Sequence, residues 1–275
     1  MSAGGVINII SPAAKNRAEM VSFGADGHLT GQIFGHHGLL EIYAHIYSTL
    51  FLFLLSIGSI AVLYYYFRTS IFKYQWLLNG IFYTSLIGLG ETFEHLVINP
   101  HVGSFFHYLH LIAAPMALGF YLTSLDETFN GKGTRKDSGR WKKTAAAFIL
   151  MLVIISVLAS FSTSTWDVEI EVPFVLITTL PTLILAGVLL ERSKIISEST
   201  LALTSLRVML LGVSVLTISI LAGRYGDFAR KAQVYIVFHQ LQNMSHIVTA
   251  TALLIFVVTV AQIEKLFTSA EKEMI

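Results

Sequence analysis

The segment GETFEHLVINPHVGSFFHYLH, residues 90–110, places four histidines and two glutamates between two long apolar runs. The chain of 275 residues around it is 54% hydrophobic and only 13% charged, and its mean hydropathy is +0.68. This composition lies outside the range of ordinary soluble domains and is typical of a membrane protein. Titratable side chains are costly to bury in such an apolar chain. Their concentration in one segment therefore indicates that they contact specific partners or have a specific function.

Apolar runs long enough to cross a membrane recur along the whole chain. Each is near or above the roughly 20 residues that an α-helix needs to span the hydrocarbon core. The runs cover residues 39–66, 74–97, 106–125, 143–164, 172–190, 203–222 and 234–262. The sequence therefore predicts an all-α fold, a polytopic membrane protein with a bundle of seven transmembrane helices. The expected parts are a polar N-terminal segment over 1–35, the transmembrane domain over 36–265 and a tail over 266–275.

The distribution of lysine and arginine predicts the orientation, because positively charged loops are retained in the cytoplasm. Seven spans put the N-terminus and the loops after the second, fourth and sixth spans on one side. That side carries few of the 18 basic residues, namely Lys15, Arg17, Arg224, Arg230 and Lys231. We therefore expect a protein of the cell or plasma membrane, with segment 1–35 outside and tail 266–275 in the cytoplasm. The net charge of +1 indicates no nucleic-acid partner.

The histidines follow the spacing of helix faces and fall toward the predicted outer side. Residues three or four apart project from one face of a helix. Four spans carry such groups: His37, Glu41 and His45 in the first, Glu91 and His95 in the second, His107 and His110 in the third, and His239, Asn243 and His246 in the seventh. Helices joined by short loops are usually neighbours. We therefore expect these four spans to bring their polar faces together.

A bound metal ion explains this combination of side chains. An ionised carboxylate at the bilayer centre costs about 2.5 kcal/mol or more, so such groups face a partner or a cavity. Imidazole nitrogens and carboxylate oxygens bind zinc, copper, iron and manganese, and a chain without cysteine offers no thiolate ligand. The predicted metal ligands are His37, His45, His95, His107, His110, His239, His246 and Glu91, and the predicted catalytic carboxylates are Glu91 and Glu41.

Other polar residues in these regions have simpler explanations. For Glu94, a solvated position at the helix end and metal binding are equally good explanations. Gln242 and Asn243 are typical of hydrogen bonds between membrane helices. An exposed or interfacial side chain is expected for the three histidines in the polar flanks, His28, His36 and His101.

The layout of these groups resembles the CREST superfamily of alkaline ceramidases and adiponectin-receptor-type proteins. Those seven-helix membrane hydrolases hold one zinc ion on the side of their N-terminus. The resemblance covers the whole chain in outline, and it implies zinc ligands at the positions of Glu41, His95 and His239. The chain departs from the family at Glu91, where the family has the serine of Ser-x-x-x-His, and at Asn243, where it has the second histidine of His-x-x-x-His.

The opening segment is also similar to a copper-binding motif. Glu91-x-x-x-His95, followed after eleven residues by His107, is similar to the Asp-x-x-x-His and later histidine that bind copper in the third subunit of copper membrane monooxygenases. This local resemblance implies copper bound by Glu91, His95 and His107. Glutamate stands in place of the family's aspartate, and the interval is one residue shorter.

The number of donors separates the candidate chemistries. A catalytic zinc ion takes about three protein ligands and keeps one open position, whereas the larger set here favours two metals, or one metal supported by further side chains. We therefore expect an integral membrane metalloprotein, a copper or iron oxidoreductase or a subunit of one, acting on a small or lipophilic substrate. In this hypothesis the ligands are His95, His107, His239 and Glu91, with His45, His110, His246 and Glu41 as a second metal site or as supporting residues.

Three alternatives stay open at this stage. A zinc-dependent intramembrane hydrolase of lipid amides or esters would use the same residues, with Glu91 or Glu41 as general base. A b-type haem protein would bind its iron through two histidines from facing helices. A metal-handling accessory or assembly factor would hold an exchangeable ion and would have other membrane subunits as partners. All of these functions place the protein in the lipid bilayer.

Overall fold

Only α-helix occurs in the part of the chain that the computed structural model describes. That part comprises residues 38–67, 75–96, 100–129, 139–161, 207–218 and 232–273, with single positions at 180, 184, 187, 188 and 191. The continuous helices within it are α1 (Gly38–Phe67), α2 (Gln75–Leu96), α3 (Pro100–Phe129), α4 (Gly139–Phe161), α5 (Arg207–Ile218) and α6 (Ala232–Glu273). The predicted all-α class is therefore confirmed for the described residues.

All but one of the predicted spans correspond to a described helix. Helices α1 to α4 match the first four spans, α5 lies within the sixth and α6 covers the seventh. The fifth span, 172–190, falls outside the described residues apart from single helical positions, so the count of seven stays a prediction. Three described helices contain stretches long and apolar enough to cross a membrane, Tyr43–Tyr66, Val102–Ser124 and Gln240–Gln262. These stretches are consistent with a membrane localisation, and the orientation stays a prediction.

Several helices extend beyond their predicted spans, and α3 and α6 do so by the most residues. Helix α3 begins at Pro100 instead of at residue 106, because the fixed φ of proline and its missing N–H suit the first position of a helix. Helix α6 continues to Glu273, past the predicted end at 262 and into the predicted tail 266–275. Hydropathy marks only the apolar part of a helix, so polar turns at its ends escape detection.

Helix α2 lies at the centre of the described bundle. It packs against α1 and α3, while α1 also packs against α6, and α3 against α4. This arrangement confirms that the first, second, third and seventh spans belong to one packed group. Helix α2 is too polar to count among the three apolar stretches, and its central position explains why, since Asn79, Thr84 and Ser85 are buried against other helices. The C-terminal end of α2 meets the N-terminal parts of α1, α3 and α6.

Both neighbours approach α2 closely near this end, where glycines leave room for them. A methyl group added to Gly88 would lie 2.6 Å from the carbonyl oxygen of Thr49 and 2.7 Å from the backbone nitrogen of Phe53 on α1. A methyl group added to Gly90 would lie 2.8 Å from the carbonyl oxygen of Phe106 on α3. Small residues at such contacts are typical of membrane helices, whose association depends on close packing. The two glycines therefore set the distances of α1 and α3 from the polar end of α2.

Replacing Gly88 with alanine should push α1 away from α2, because the new methyl group meets backbone atoms that have no room to move. Overpacking of this kind costs about 1–3 kcal/mol or more, so we expect the Tm of the purified protein in detergent to fall by several degrees. Gly58→Ala on α1 is the matched control, since nothing lies within 4 Å of its added methyl group. Alanine favours the helix over glycine by about 1 kcal/mol. The Tm of the Gly58→Ala variant should therefore stay the same or rise. If both substitutions lower the Tm by the same amount, α1 and α2 do not approach each other closely at Gly88.

Candidate metal centre

Buried histidine and glutamate side chains gather at one end of the described bundle in two groups. The Glu91 cluster consists of His45 on α1, Glu91 on α2 and His246 on α6, and the Glu94 cluster consists of Glu94 on α2 with His107 and His110 on α3. In each cluster one candidate ligand atom from every side chain lies within 4.8 Å of the other two. The two glutamates are three residues apart, as are the two histidines of α3, so each pair projects from one helix face.

In the Glu91 cluster both histidine nitrogens lie at the distance from the carboxylate that is expected of atoms bound to one metal ion. Oε2 of Glu91 lies 3.0 Å from Nε2 of His246 and 3.4 Å from Nε2 of His45. Two atoms that each lie about 2.1 Å from the same ion, at an angle of about 90° to 109°, are about 3.0 to 3.4 Å apart. None of the three side chains is more than 3% exposed, so bulk water does not reach these atoms. The cluster can hold an ion without a large rearrangement.

The outer ring nitrogens of both histidines in the Glu91 cluster have polar neighbours. Oδ1 of Asn243 lies 2.5 Å from Nδ1 of His45. A carboxamide oxygen only accepts hydrogen bonds, so Nδ1 of His45 donates, and Nε2 presents its lone pair on the side of Glu91. The hydroxyl of Ser48 has two acceptors for its one proton, the carbonyl oxygen of His45 at 2.9 Å and Oδ1 of Asn243 at 3.2 Å, and it lies 3.3 Å from Nδ1 of His246. Histidines that bind metals in proteins are oriented in this way, through the nitrogen that does not bind the ion.

The inner atoms of the Glu91 cluster offer a place for positive charge. Nε2 of His246 and Nε2 of His45 lie 3.0 Å and 3.4 Å from Oε2 of Glu91, and Gln242 donates to Oε1 at 3.1 Å. A buried carboxylate needs such charged or hydrogen-bonding neighbours, and either a protonated imidazole or a bound metal ion supplies the charge. A metal ion bound by all three side chains would contact Oε2 and both ring nitrogens together.

The Glu94 cluster is arranged around a single carboxylate. Oε1 of Glu94 lies 2.6 Å from Nδ1 of His107, and Oε2 lies 3.3 Å from Nδ1 of His110. The first distance is that of a short charge-assisted hydrogen bond, and it is below the spacing expected around one ion. The planes of the two rings are nearly perpendicular, at 89°, with their centroids 5.0 Å apart. His107 must therefore move a few tenths of an ångström before this cluster holds an ion.

The two clusters meet at His110. Its Nδ1 faces Glu94, and its Nε2 lies 4.0 Å from Oε1 of Glu91. One imidazole on α3 therefore stands between the two carboxylates of α2. The clusters form a continuous buried polar region.

All the predicted ligands whose side chains the structure describes lie in these clusters, namely His45, His107, His110, His246 and Glu91. Glu41, His95 and His239 belong to α1, α2 and α6, but their side chains lie outside the described residues, as does the whole of His37. Their predicted roles stay predictions, as does metal binding by the other five. The grouping differs from the one expected, because Glu91 meets His45 and His246 and does not share a cluster with His107.

Two residues of the site were not among the predicted ligands: Glu94, for which metal binding and a solvated position were equally good explanations, and Ser48. The side chain of Glu94 is only 10% exposed and contacts both histidines of α3. Its spacing of three residues from Glu91 was a signal that could have found it, whereas a serine one turn after His45 carries no such signal. The prediction that Gln242 and Asn243 form hydrogen bonds between helices is confirmed, since they contact α2 and α1 respectively.

Replacing Asn243 with leucine removes the acceptor for Nδ1 of His45 and leaves a buried N–H without its partner, at a cost of about 1–3 kcal/mol. We expect the Tm of the purified protein to fall by several degrees, measured by thermal unfolding in detergent. Gln240→Leu, at an exposed position of the same helix, is the control and should leave the Tm unchanged. If Asn243→Leu is as stable as the unmodified chain, this hydrogen bond does not orient His45.

No family model matches the chain, and neither a curated protein nor a solved structure matches it. The resemblances to the CREST superfamily and to copper membrane monooxygenases therefore stay predictions from the sequence. Since a fold alone does not specify a function, the geometry of the two clusters is what supports a functional assignment.

Proposed function

We propose that this chain is an integral membrane metalloprotein whose Glu91 cluster binds a redox-active transition metal, iron or copper. The supporting observation is that two buried histidines from different helices lie at ligand-like distances from the carboxylate of Glu91 on a third, while the outer nitrogens of both histidines have polar partners. Both inner ring nitrogens face the same carboxylate oxygen, Oε2 of Glu91, so one ion placed among the three atoms would contact all of them.

The donor set favours iron. Two imidazoles and one carboxylate form the 2-His-1-carboxylate set that is typical of non-haem iron(II) enzymes, and this set leaves open positions on the ion. Copper also accepts imidazole ligands, and it is the second choice. Either ion supplies one-electron chemistry when bound. A redox enzyme, or a redox subunit of a larger membrane complex, is the function that follows.

The surrounding residues prepare the site for such an ion. Gln242 holds one carboxylate oxygen of Glu91, so that the other faces the imidazoles. Asn243 and Ser48 hold the outer ring nitrogens, which keeps the inner nitrogens available as ligands. Burial excludes bulk water and strengthens each of these electrostatic interactions. Because the cluster is enclosed in an apolar bundle, we expect its substrate to be small or lipophilic.

A zinc hydrolase is the second candidate, because two histidines and a glutamate also form the ligand set of some zinc hydrolases. The resemblance to the CREST superfamily supports the same chemistry. Such an enzyme needs a general base in addition to its ligands. Both carboxylates with described side chains at the centre already belong to the clusters. Glu41 would therefore have to act as the base, and this requirement makes hydrolysis the weaker proposal.

The haem alternative fits the two rings poorly. The rings of His45 and His246 are inclined at 51° with their centroids 5.5 Å apart, and both Nε2 atoms face the carboxylate of Glu91. The axial histidines of a haem face each other across the macrocycle, with the iron between them. In this site Glu91 occupies the corresponding space.

Elemental analysis of the purified protein, combined with optical and electron paramagnetic resonance spectra of the same sample, tests the proposal. We expect bound iron or copper with a signal that changes on reduction. Glu91→Gln should lower the metal affinity by more than about 100-fold, because even residues that only support ligands contribute about 10- to 100-fold. Glu191→Gln, at an exposed described position, is the matched control and should retain the metal.

Each other outcome has its own meaning for the proposal. Zinc alone, with hydrolysis of a lipid amide or ester, would replace the redox function by the hydrolase. A weakly bound metal ion that a chelator removes within seconds would indicate a metal-handling factor. A protein that is purified without a transition metal and rebinds none would overturn the proposal.

A further inference from the structure

The buried polar region extends one helical turn beyond the Glu91 cluster. From the contacts of the Glu94 cluster we infer that the centre binds two metal ions, the second one held by Glu94, His107 and His110. The inference rests on the proposed function, since it adds a second first-row transition ion beside the first. Two ions would each supply one electron, so that the pair would serve a two-electron reaction.

The spacing along the helices fits two neighbouring ions. Glu91 and Glu94 are three residues apart on α2, which corresponds to a rise of about 4.5 Å along the helix axis. In two-metal sites of enzymes the ions are about 3.5–4 Å apart, so the two carboxylates are separated by a distance of the right order. Helix α3 supplies His107 and His110 at the same interval, while α1 and α6 supply the histidines of the first site. Each ion thereby has one carboxylate and two imidazoles.

The position of His110 between two carboxylates favours a cation near the Glu94 cluster, either a second proton on the ring or a bound metal ion. Its Nδ1 lies 3.3 Å from Oε2 of Glu94, and its Nε2 lies 4.0 Å from Oε1 of Glu91. A neutral imidazole has only one N–H, so with two carboxylates beside it, one ring nitrogen presents a lone pair to a negative charge. The side chain is only 1% exposed, so water does not relieve this repulsion. An ion bound at Nδ1 does relieve it, and it leaves the proton on Nε2, facing Glu91.

The two ions should bind in a fixed order. The distances in the Glu91 cluster already match those around an ion, whereas the short contact between Glu94 and His107 must lengthen first. The first ion also removes part of the negative charge that attracts the second. We therefore expect the Glu91 cluster to fill first and the Glu94 cluster to fill with lower affinity. Because His110 contacts both carboxylates, each ion should alter the affinity for the other by the same factor.

Copper(II) alone is a suitable probe, because its paramagnetic resonance spectrum reports both the number of ions and their proximity. The full-length protein in detergent would be stripped of metal, titrated with copper(II) and washed with a weak chelator. We expect two retained equivalents. The first should give an isolated copper spectrum, and the second should broaden it through interaction of the two spins.

His107→Gln should halve the retained copper and preserve the isolated spectrum of the first ion, because the Glu91 cluster stays intact. Glu94→Gln should give the same result. This variant replaces His107→Gln in the test if the Tm of His107→Gln shows that it does not fold. His28→Gln, in the polar flank of the sequence, is the matched control and should retain two coupled ions.

A single retained equivalent in the unmodified protein, or two equivalents without spin interaction, would overturn the two-metal centre and leave the proposed function in place. Two coupled ions that persist in both His107→Gln and Glu94→Gln would also overturn it. If the unmodified protein retains no copper at all, and elemental analysis finds no other transition metal, the proposed function fails as well.

Discussion

The burial of the Glu91 carboxylate is the constraint on which the site depends. An ionised carboxylate in an apolar bundle is costly unless it is paired and hydrogen-bonded, and this side chain is 1% exposed. Gln242 donates to one oxygen, and His45 and His246 converge on the other. The imidazoles in turn need partners for their outer nitrogens, which a carboxamide on α6 and a hydroxyl on α1 provide. One buried charge thus determines which residue types are suitable on three helices.

Close helix packing makes this arrangement attainable. Imidazole and carboxylate side chains are short, so donors on different helices meet only where the backbones are near each other. Gly88 and Gly90 permit that approach on the two sides of α2, and Thr49 and Thr92 form a hydrogen bond of 2.9 Å across the α1 contact. The small residues of α2 and the polar residues of the clusters therefore depend on each other. A wider contact would separate the ligands, and a closer one would leave no room for them.

Much of the fold follows from the sequence, because hydropathy detects apolar runs of spanning length and short loops make consecutive helices neighbours. Helical spacing also selects His45, His107, His110 and His246, since it shows which side chains share a face. Spacing within a helix says nothing about how each helix is rotated about its axis relative to its neighbours. The sequence therefore combines Glu91 with His107, whereas the fold pairs it with His246. The role of Ser48 cannot be predicted for the same reason, because only its neighbours on α6 reveal it, whereas the spacing of Glu94 from Glu91 is visible in the sequence.

Helix α6 is longer than the bilayer it is expected to cross. Its 42 residues form a rod about 63 Å long, at about 1.5 Å per residue, whereas a bilayer with its headgroups is about 40–45 Å thick. Tilting does not remove the difference, because membrane helices are tilted by about 20° on average and by at most about 40°. If α6 crosses the bilayer as expected, part of it therefore extends beyond the headgroups as a continuous helix. A fluorophore attached at Glu273 would be held roughly 40 Å along the axis from His246, far enough to leave the imidazoles undisturbed and rigid enough to report how that helix moves.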